Sequence, residues 1–320
     1  MTVPLVRPSF PDSSMWLPRW EESTRRTHTY SNFGPLWHGA AEALSDLTGM
    51  LAIPVSTGTA AVELAMYAGW VMGNGIYPQK FIDDFTFEAT RRAANHVWSA
   101  VSHLGFPSVA TVPFGCAREF PFRVSAVDAA GAFGPSIADQ VPRNTAIAVS
   151  FHSTKNFPVG EGGAVLLPKH WAPGYVGCVR AMNFGFNEAR ESVETFATNA
   201  KLDELRCSIL LAQLKRVDYF AERCNRIREH SMELADTPET FLPYSPGVWQ
   251  SLVVVGVAGD PDQCCLFLRD NGYTARRVYW PTQYTNHYTK AQRSMVALPS
   301  DMTTKEVTKL RKLLQTGGWR

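Results

Sequence analysis

The chain has 320 residues, of which 45% are hydrophobic and 19% are charged, and its formal net charge is +2. These proportions are typical of a globular protein, and the length is sufficient for a large domain and a smaller one. The nearly balanced charge provides no basis for bulk electrostatic binding to nucleic acid or to a membrane surface.

Cysteine spacing and apolar runs bear on the compartment of the protein. Six cysteines are scattered without a CxxC pair, and no Cys/His cluster has zinc spacing. We therefore expect reduced thiols, no metal site and a cytoplasmic protein. No apolar run reaches the roughly 18 residues of a membrane span, and the first residues lack the apolar core of a signal peptide.

Strands and helices alternate along the chain after a Pro-rich and aromatic N-terminal arm, residues 1–33, that we expect to be irregular. Apolar periodicity predicts helices, and short apolar runs with β-branched residues predict strands. The predicted helices cover residues 37–48, 60–71 and 202–234, and the predicted strands cover 51–56, 124–127, 145–151 and 164–167. This alternation predicts an α/β domain over residues 34–235, with a mixed, mostly parallel sheet between helices.

A second unit follows a Pro-rich hinge and occupies residues 236–320. Its predicted elements are a strand over 251–257 and helices over 260–271 and 303–315. Thr303 and Glu306 have the spacing of a capping box at the start of the last helix. This order predicts a small α+β C-terminal domain.

Polar residues lie at or just after the carboxyl ends of three of the predicted strands, at Thr57–Thr59, at Asp128 and at Ser150–Lys155. Ligands of such sheets bind at the carboxyl ends of the strands. Lys155 can form a Schiff base with an aldehyde cofactor once its amine is neutral. The segment by itself is equally compatible with a surface lysine in a polar loop.

The other strand-end residues have similar pairs of interpretations. A carboxylate at Asp128 is costly to bury unless it is paired, and the pyridine nitrogen of pyridoxal 5'-phosphate (PLP) would pair with it. A turn or N-cap aspartate is the ordinary alternative. Thr57, Gly58 and Thr59 precede a helix whose N-terminus suits a phosphate, or Thr57 is a plain N-cap. Phe87 could stack on a pyridine ring, although core packing is the default for one of 18 phenylalanines.

Together these segments resemble the DegT/DnrJ/EryC1/StrS family of sugar aminotransferases, which are fold-type-I PLP-dependent enzymes. The resemblance extends from about Asn32 to about Leu314. The segments that carry it are Asn32–Leu36, Val55–Ala61 (VSTGTAA), Thr86–Thr90 (TFEAT), Asp128–Ala130 (DAA), Ser150–Asn156 (SFHSTKN), Gly160–Gly163 (GEGG), Asn199–Leu205 (NAKLDEL) and Leu298–Ser300.

The resemblance implies a role for each matching residue. Lys155 would carry PLP as a Schiff base and Asp128 would meet the pyridine nitrogen. The cofactor-binding residues would be Thr57, Gly58, Thr59, Phe87, Asp128, Ser150, Lys155 and Asn199. Because the family's asparagine at the position of Asn199 reaches the phosphate of the neighbouring subunit, the resemblance implies a homodimer with shared active sites.

The sequence departs from the family pattern at several positions. Gly131 replaces the glutamine that usually follows DAA, and Lys201 replaces an arginine. The span from Thr90 to Asp128 is short, and its usual strand is not visible. Near the C-terminus, Arg276, Arg277 and Tyr279 stand where the family often has a His-Tyr-Pro segment. These three residues and His152 are candidate substrate contacts, with a surface salt bridge as an equal alternative for the arginines.

The preferred hypothesis is therefore a PLP-dependent aminotransferase. It would move an amino group from glutamate or glutamine to a keto-sugar, which in this family is typically linked to a nucleotide. Gly131 and the short middle region leave open another PLP reaction, such as decarboxylation of an amino-acid-like or modified-nucleotide substrate. A non-catalytic PLP-fold module is a third possibility, against which the presence of Lys155, Asp128 and Ser150 argues.

Overall fold

The computed structural model describes residues 2–101, 105–112, 120, 123–235, 248–257, 259–278 and 295–317. The helices are α1 (Leu17–Thr27), α2 (Pro35–Thr48), α3 (Gly58–Val71), α4 (Glu88–Val101), α5 (Ala172–Ala181), α6 (Glu204–Leu214), α7 (Val217–Leu234), α8 (Pro261–Asp270) and α9 (Thr304–Thr316). The strands are β1 (Leu51–Val55), β2 (Ile76–Tyr77), β3 (Phe106–Pro107), β4 (Val109–Thr111), β5 (Ala126–Asp128), β6 (Ala132–Phe133), β7 (Ala146–Ser150), β8 (Gly163–Leu167), β9 (Trp249–Gln250), β10 (Val253–Gly256), β11 (Arg276–Arg277) and β12 (Met295–Leu298).

The central sheet has the strand order β1-β8-β7-β5-β4. Strands β4, β5 and β7 pair in parallel, whereas β8 is antiparallel to both β7 and β1. The predicted α/β class is confirmed, but parallel and antiparallel pairings are equally frequent among the described strands of this sheet. The connection between β7 and β8 contains no helix, and it returns the chain antiparallel beside the strand it has just left.

Helix α3 packs on the sheet and is apolar on nearly every side. Thr57 caps it by accepting a hydrogen bond from the backbone N–H of Ala60 at 3.1 Å. Behind the cap, an Ala-, Leu- and Met-rich sequence favours helix, and Leu64, Ala65 and Met66 are fully buried. A helix buried all round needs neighbours on every face, and α4, α5 and the sheet supply them. The start of α3 is thereby held at the edge of the sheet.

Three features differ from the expectations drawn from sequence. The N-terminal arm contains an 11-residue helix, α1, in which Pro18 lies at the second position, where proline is compatible with a helix. The predicted helix 202–234 is two helices, although no glycine or proline marks the break at Lys215 and Arg216. The strand that is not visible in the sequence between Thr90 and Asp128 is present as β4, which is only three residues long.

The C-terminal residues form a second sheet, in the order β10-β12-β11, covered by α8 and α9. Thr303 and Glu306 form the predicted capping box, with the Thr303 N–H donating to the Glu306 carboxylate at 2.7 Å. Val3 of the arm joins this unit, because its N–H donates to Gly272 O at 2.9 Å and its side chain is buried there. In the part of the chain that the structure describes, no helix has the length and apolarity needed to cross a membrane.

An aromatic cluster holds the segment that follows β7. Phe151 and Phe157 lie on either side of Lys155 and contact each other with ring centroids 5.8 Å apart. Phe133 contacts both rings, and Phe157 also contacts Phe220 of α7 at 4.8 Å. Each aromatic pair of this kind contributes about 0.5–1.5 kcal/mol beyond area burial. The cluster therefore anchors both ends of the loop that carries the lysine.

Candidate active site

The carboxyl ends of β1, β4, β5 and β7 lie at one edge of the central sheet, because these four strands run in the same direction. Thr57 follows β1, whereas Asp128 ends β5 and Ser150 ends β7. A Cβ atom added at Gly58 would lie 2.6 Å from Cβ of Ser150. Two of the three sequence-predicted sites are therefore in direct contact, as expected for strand ends on one edge.

Asp128 is a buried carboxylate at the centre of this edge. The hydroxyl of Thr90 donates to its Oδ2 at 2.5 Å, and the backbone N–H of Ala130 donates to its Oδ1 at 2.8 Å. Burial raises the pKa of Asp128, and the two hydrogen bonds and the charge of Lys155 lower it only in part. A buried carboxyl group with few charged partners is suited to meet a cationic group from a ligand.

Lys155 lies in the turn that follows β7, and its side chain is half-buried. Its backbone N–H donates to His152 O at 2.8 Å, which closes the turn. Burial lowers the pKa of Lys155 to about 8, the charge of Asp128 opposes this shift, and the charge of Arg276 adds to it. An amine with this pKa is neutral often enough at neutral pH to act as a nucleophile and as a base.

The start of α3 and the end of β7 form a cradle with little free space. Gly58 has no room for a side chain, because an added Cβ atom would lie 2.8 Å from Oγ of Ser150. Thr57 is the N-cap of α3, so the ordinary interpretation of that residue is also correct. The first backbone N–H groups of a helix, with hydroxyls beside them, are a favourable place for a phosphate.

The loop before α4 presents Phe87, whose side chain is 48% exposed. The guanidinium of Arg91 donates to the backbone carbonyls of Asp83 and Asp84 and braces this loop. Thr111 of β4 donates its hydroxyl to that of Thr86 at 2.6 Å, which ties the loop to the sheet. Phe87 is thus an exposed aromatic side chain on a braced loop beside Thr90.

Asn199 lies on an exposed hairpin, and its Oδ1 accepts a hydrogen bond from Nζ of Lys201 at 2.7 Å. The neighbouring backbone joins the sheet edge, since Ser56 N–H donates to Ala200 O at 2.8 Å. The same hairpin exposes the large apolar side chains of Phe184, Phe186 and Val193. Asn199 is therefore directed away from the core, on a surface with unusual apolar character.

The four candidate substrate residues have different environments. Arg276 is close enough to Lys155 for its charge to lower the pKa of the amine. Arg277 pairs with Asp262, with Nη1 and Oδ2 3.1 Å apart. His152 contacts Thr154 through Nδ1 at 2.8 Å and Glu161 through Nε2 at 3.4 Å. Tyr279 lies outside the described residues.

Sequence reasoning assigned no role to two residues that shape the site. Thr90 donates a hydrogen bond to Asp128. Its position in α4, one turn after the candidate ring-stacking residue Phe87, was the feature of the sequence that could have indicated a place in the site. Glu204 caps α2, because its carboxylate accepts the backbone N–H groups of Leu36 and Trp37, both at 2.9 Å. These contacts link two of the family-like segments, 32–36 and 199–205.

The residues at this edge fit PLP. A glycine and a serine form a cradle at a helix N-terminus, a buried carboxyl group can pair with the ring nitrogen, and an amine of lowered pKa is close enough to that carboxyl group for their charges to interact. These are the groups that position the phosphate, the ring and the aldehyde of this cofactor. The fold and the site thus define the class of fold-type-I PLP-dependent enzymes.

Comparison with known proteins supports this class. The model of the DegT/DnrJ/EryC1/StrS aminotransferase family matches residues 125–311. A Bacillus cereus structure assigned as a PLP-dependent aminotransferase has a TM-score of 0.78, with 21% identity over 98% of this chain and 100% of that one. The structure of DesI in the presence of its TDP-sugar product has a TM-score of 0.74, with 19% identity over 100% of this chain and 93% of that one.

The sequence matches to curated relatives cover only part of each chain. Protein Rv3402c of Mycobacterium tuberculosis is 27% identical over 260 residues, which cover 68% of this chain and 61% of Rv3402c. The chain thus matches about three fifths of this curated relative. Since the family model matches more than half of the chain, the chain belongs to the DegT/DnrJ/EryC1/StrS aminotransferase family.

Proposed function

We propose that the protein is a PLP-dependent sugar aminotransferase that moves an amino group from glutamate or glutamine to a nucleotide-linked keto-sugar. The proposal is carried by two groups at one edge of the sheet, namely the amine of Lys155, whose pKa is lowered, and the buried carboxyl group of Asp128. The two groups are close enough for their charges to interact. Membership of an aminotransferase family supports the reaction type. The TDP-sugar product of DesI, a protein of the same fold, supports a nucleotide-linked sugar as acceptor.

Each cofactor-binding residue has a task in this proposal, and that of Thr57 is to cap α3, the helix whose N-terminus would face the phosphate. Gly58, Thr59 and Ser150 would bind the phosphate, Phe87 would cover the ring, and Lys155 would hold the aldehyde carbon. Bound PLP supplies an electron-withdrawing ring that stabilises negative charge at a neighbouring substrate carbon. The Asp128 carboxylate would keep a proton on the ring nitrogen, because a buried carboxylate is stabilised by an adjacent cation.

Lys155 is the proton carrier of the proposed reaction. With a pKa of about 8, roughly one tenth of its amine is neutral at pH 7. Once the nitrogen of the amino donor has displaced Nζ from the aldehyde carbon, the free and neutral Nζ would take the proton from the substrate carbon and return it elsewhere on the reacting molecule. A pKa near the working pH serves both steps, since the same group must accept and then release a proton.

Arg276 is the proposed contact for the anionic part of a substrate. Its charge reaches Lys155, and an arginine binds carboxylate or phosphate through two parallel N–H groups. Arg277 is engaged with Asp262 and is better interpreted as a structural residue. His152 and Tyr279 remain candidate substrate contacts by position in the sequence.

The exposed hairpin that carries Asn199 is the proposed contact with a second subunit. Phe184, Phe186 and Val193 give it an apolar surface that a monomer would leave in water. In a homodimer, Asn199 would reach the phosphate of the partner's PLP. Replacing Phe184 by aspartate should therefore yield a monomer in sedimentation equilibrium that binds PLP more weakly, whereas an unchanged mass would contradict this interface.

The first experiment is an absorbance spectrum of the full chain with PLP, followed by addition of L-glutamate or L-glutamine. We expect a visible band for lysine-bound PLP, which is lost in Lys155→Ala but kept in Lys169→Ala, since Lys169 is an exposed surface lysine. The amino donor should then bleach the band and release its keto acid. A stable band that neither donor changes would contradict transamination from these donors, and absence of any band would contradict the role of Lys155.

A further inference from the structure

We propose that Arg223 is a positioning residue for Lys155, because it joins the segment that follows the lysine to the N-terminal arm and to Asp301. Arg223 lies in α7 and is 1% exposed, so its charge is removed from water. The inference rests on the proposed function in one respect only, namely that Lys155 is the reactive amine.

The guanidinium contacts the residue that directly follows Lys155. Nη1 of Arg223 donates to Oδ1 of Asn156 at 3.0 Å and, over a longer distance of 3.4 Å, to its backbone carbonyl. Asn156 is itself buried. Its backbone N–H donates to Oγ of Ser251 at 2.9 Å. The peptide after Lys155 is therefore held from two directions by side chains distant in sequence.

The opposite edge of the guanidinium forms a two-point contact with Asp301. Nε donates to Oδ1 at 2.9 Å and Nη2 to Oδ2 at 2.6 Å, and Nη2 also donates to the carbonyl of Arg7 at 3.2 Å. Burial alone would raise the pKa of Asp301, but Arg223, Ser300 and the Arg7 backbone together hold it below its usual range. The carboxylate is thus ionised and fixes the orientation of the guanidinium plane.

The geometry requires an arginine. A guanidinium offers five N–H donors in a planar fork, so it can meet Asp301 on one edge and Asn156 on another at the same time. A lysine at this position would keep the positive charge but present one compact ammonium group. Arg223→Lys is therefore a variant that preserves charge and removes the simultaneous contacts.

The consequence for the site is control over where the Lys155 amine points. The aromatic contact between Phe157 and Phe220, one turn before Arg223 in α7, sets the distance of this segment from the helix. The hydrogen bonds of Arg223 then set its rotation. Errors of about 1 Å in the position of a reacting group can cost about 100-fold in rate.

The test measures the rate at which Lys155 reacts with added PLP, starting from the full chain in its cofactor-free form. The protein is incubated with PLP, reduced with borohydride, and the rate of labelling at each lysine is followed by peptide mass spectrometry. In Arg223→Lys we expect labelling of Lys155 to slow by about 10-fold or more, while labelling of the exposed Lys169 is unchanged. In steady-state assays, kcat should fall more than KM rises.

Two further variants keep the outcome decisive. Arg206→Lys alters an exposed pair with Asp203, 2.6 Å apart, and should leave Lys155 labelling unchanged. Asn156→Ala removes the contact next to Lys155 but leaves the pair of Arg223 and Asp301 intact. It should reproduce the slow labelling even if Arg223→Lys fails to fold, as judged by circular dichroism.

The outcomes separate this inference from the proposed function. If Lys155 of the wild-type chain is not labelled by PLP, the proposed function fails. If it is labelled, and the folded Arg223→Lys and Asn156→Ala variants are labelled at the same rate, the proposed function stands and the positioning role of Arg223 is wrong.

Discussion

Thr90 donates its hydroxyl to Oδ2 of Asp128 across 2.5 Å, from a helix to the end of a strand 38 residues away. Burial raises the pKa of Asp128, and this hydrogen bond is the largest influence that lowers it. The ionised form of Asp128, which the ring nitrogen of PLP would require, therefore depends on one threonine of α4.

Replacing Thr90 by valine removes the hydroxyl and keeps the shape of the side chain. A hydrogen bond to a charged group contributes about 1.5–3 kcal/mol, so kcat/KM should fall by about 10- to 100-fold. The pKa of Asp128 should rise, which moves the acid limb of the pH profile of kcat/KM to higher pH. Thr90→Ser keeps the donor and should stay near wild type, and equal profiles for Thr90→Val would disprove the assigned role.

Asp128→Asn should separate stability from activity. A carboxyl group whose pKa is raised by folding destabilises the folded state above its unfolded pKa, because the unfolded chain loses the proton more readily. Removing the charge should leave the melting temperature of the cofactor-free protein at pH 7 unchanged or higher. Activity should nevertheless fall by at least about 100-fold, as for other losses of charge stabilisation in an active site.

Asp301→Asn is the matched control, because the pKa of Asp301 is lowered by folding. Its ionised form stabilises the folded state above the unfolded pKa, and that stability is lost as pH falls through the folded pKa. The substitution should cost about 3 kcal/mol at pH 7, the lower end for breaking a buried ion pair, since Asp301 is 25% exposed. A loss of stability in Asp128→Asn as large as that in Asp301→Asn would contradict the assignment of Asp128, and no loss in Asp301→Asn would contradict that of Asp301.

The pH dependence of PLP loading should report the environment of Lys155. Only the neutral amine reacts, so the loading rate of the cofactor-free protein should rise with pH and reach half its maximum near pH 8. Arg276→Ala removes a positive charge that lowers the pKa of Lys155, so the midpoint should move to higher pH. Arg277→Ala should leave it in place, because that guanidinium pairs with Asp262. Identical shifts in the two variants would show that Arg276 has no special relation to the lysine.

Two glycines near α2 should respond to alanine in opposite directions. A Cβ atom at Gly34 would lie 2.5 Å from Cδ of Glu204, the carboxylate that caps α2, whereas a Cβ atom at Gly39 has its nearest neighbour at 3.8 Å. Gly34→Ala should lower the free energy of unfolding by about 1–3 kcal/mol through overpacking. Gly39→Ala should raise it by about 0.5–1 kcal/mol, because alanine favours a helix interior. Urea denaturation measures both values.

Local patterns in the sequence were sufficient for most of the secondary structure. Helices α2, α3, α8 and α9 and strands β1, β5, β7, β8 and β10 lie within a few residues of their predicted ranges, because apolar spacing, caps and turns are local signals. The same local signals failed at elements whose limits are set by packing against other parts of the chain. Strand β4 is too short to show a period, and the break between α6 and α7 carries no helix-breaking residue.

The sequence by itself determined the chemical groups of the candidate site: an amine at Lys155, a carboxylate at Asp128 and hydroxyls at Thr57 and Ser150, each at or just after the end of a strand. Motif order also determined the family. Only the tertiary structure decided the partners that set their properties, namely Thr90 for Asp128, Arg276 for Lys155, and Arg223 for the segment beside the lysine. These partners lie 38 to 121 positions away along the chain. No local pattern encodes such a contact, because it exists only when the sheet and helices have packed and water has been removed from between the charges.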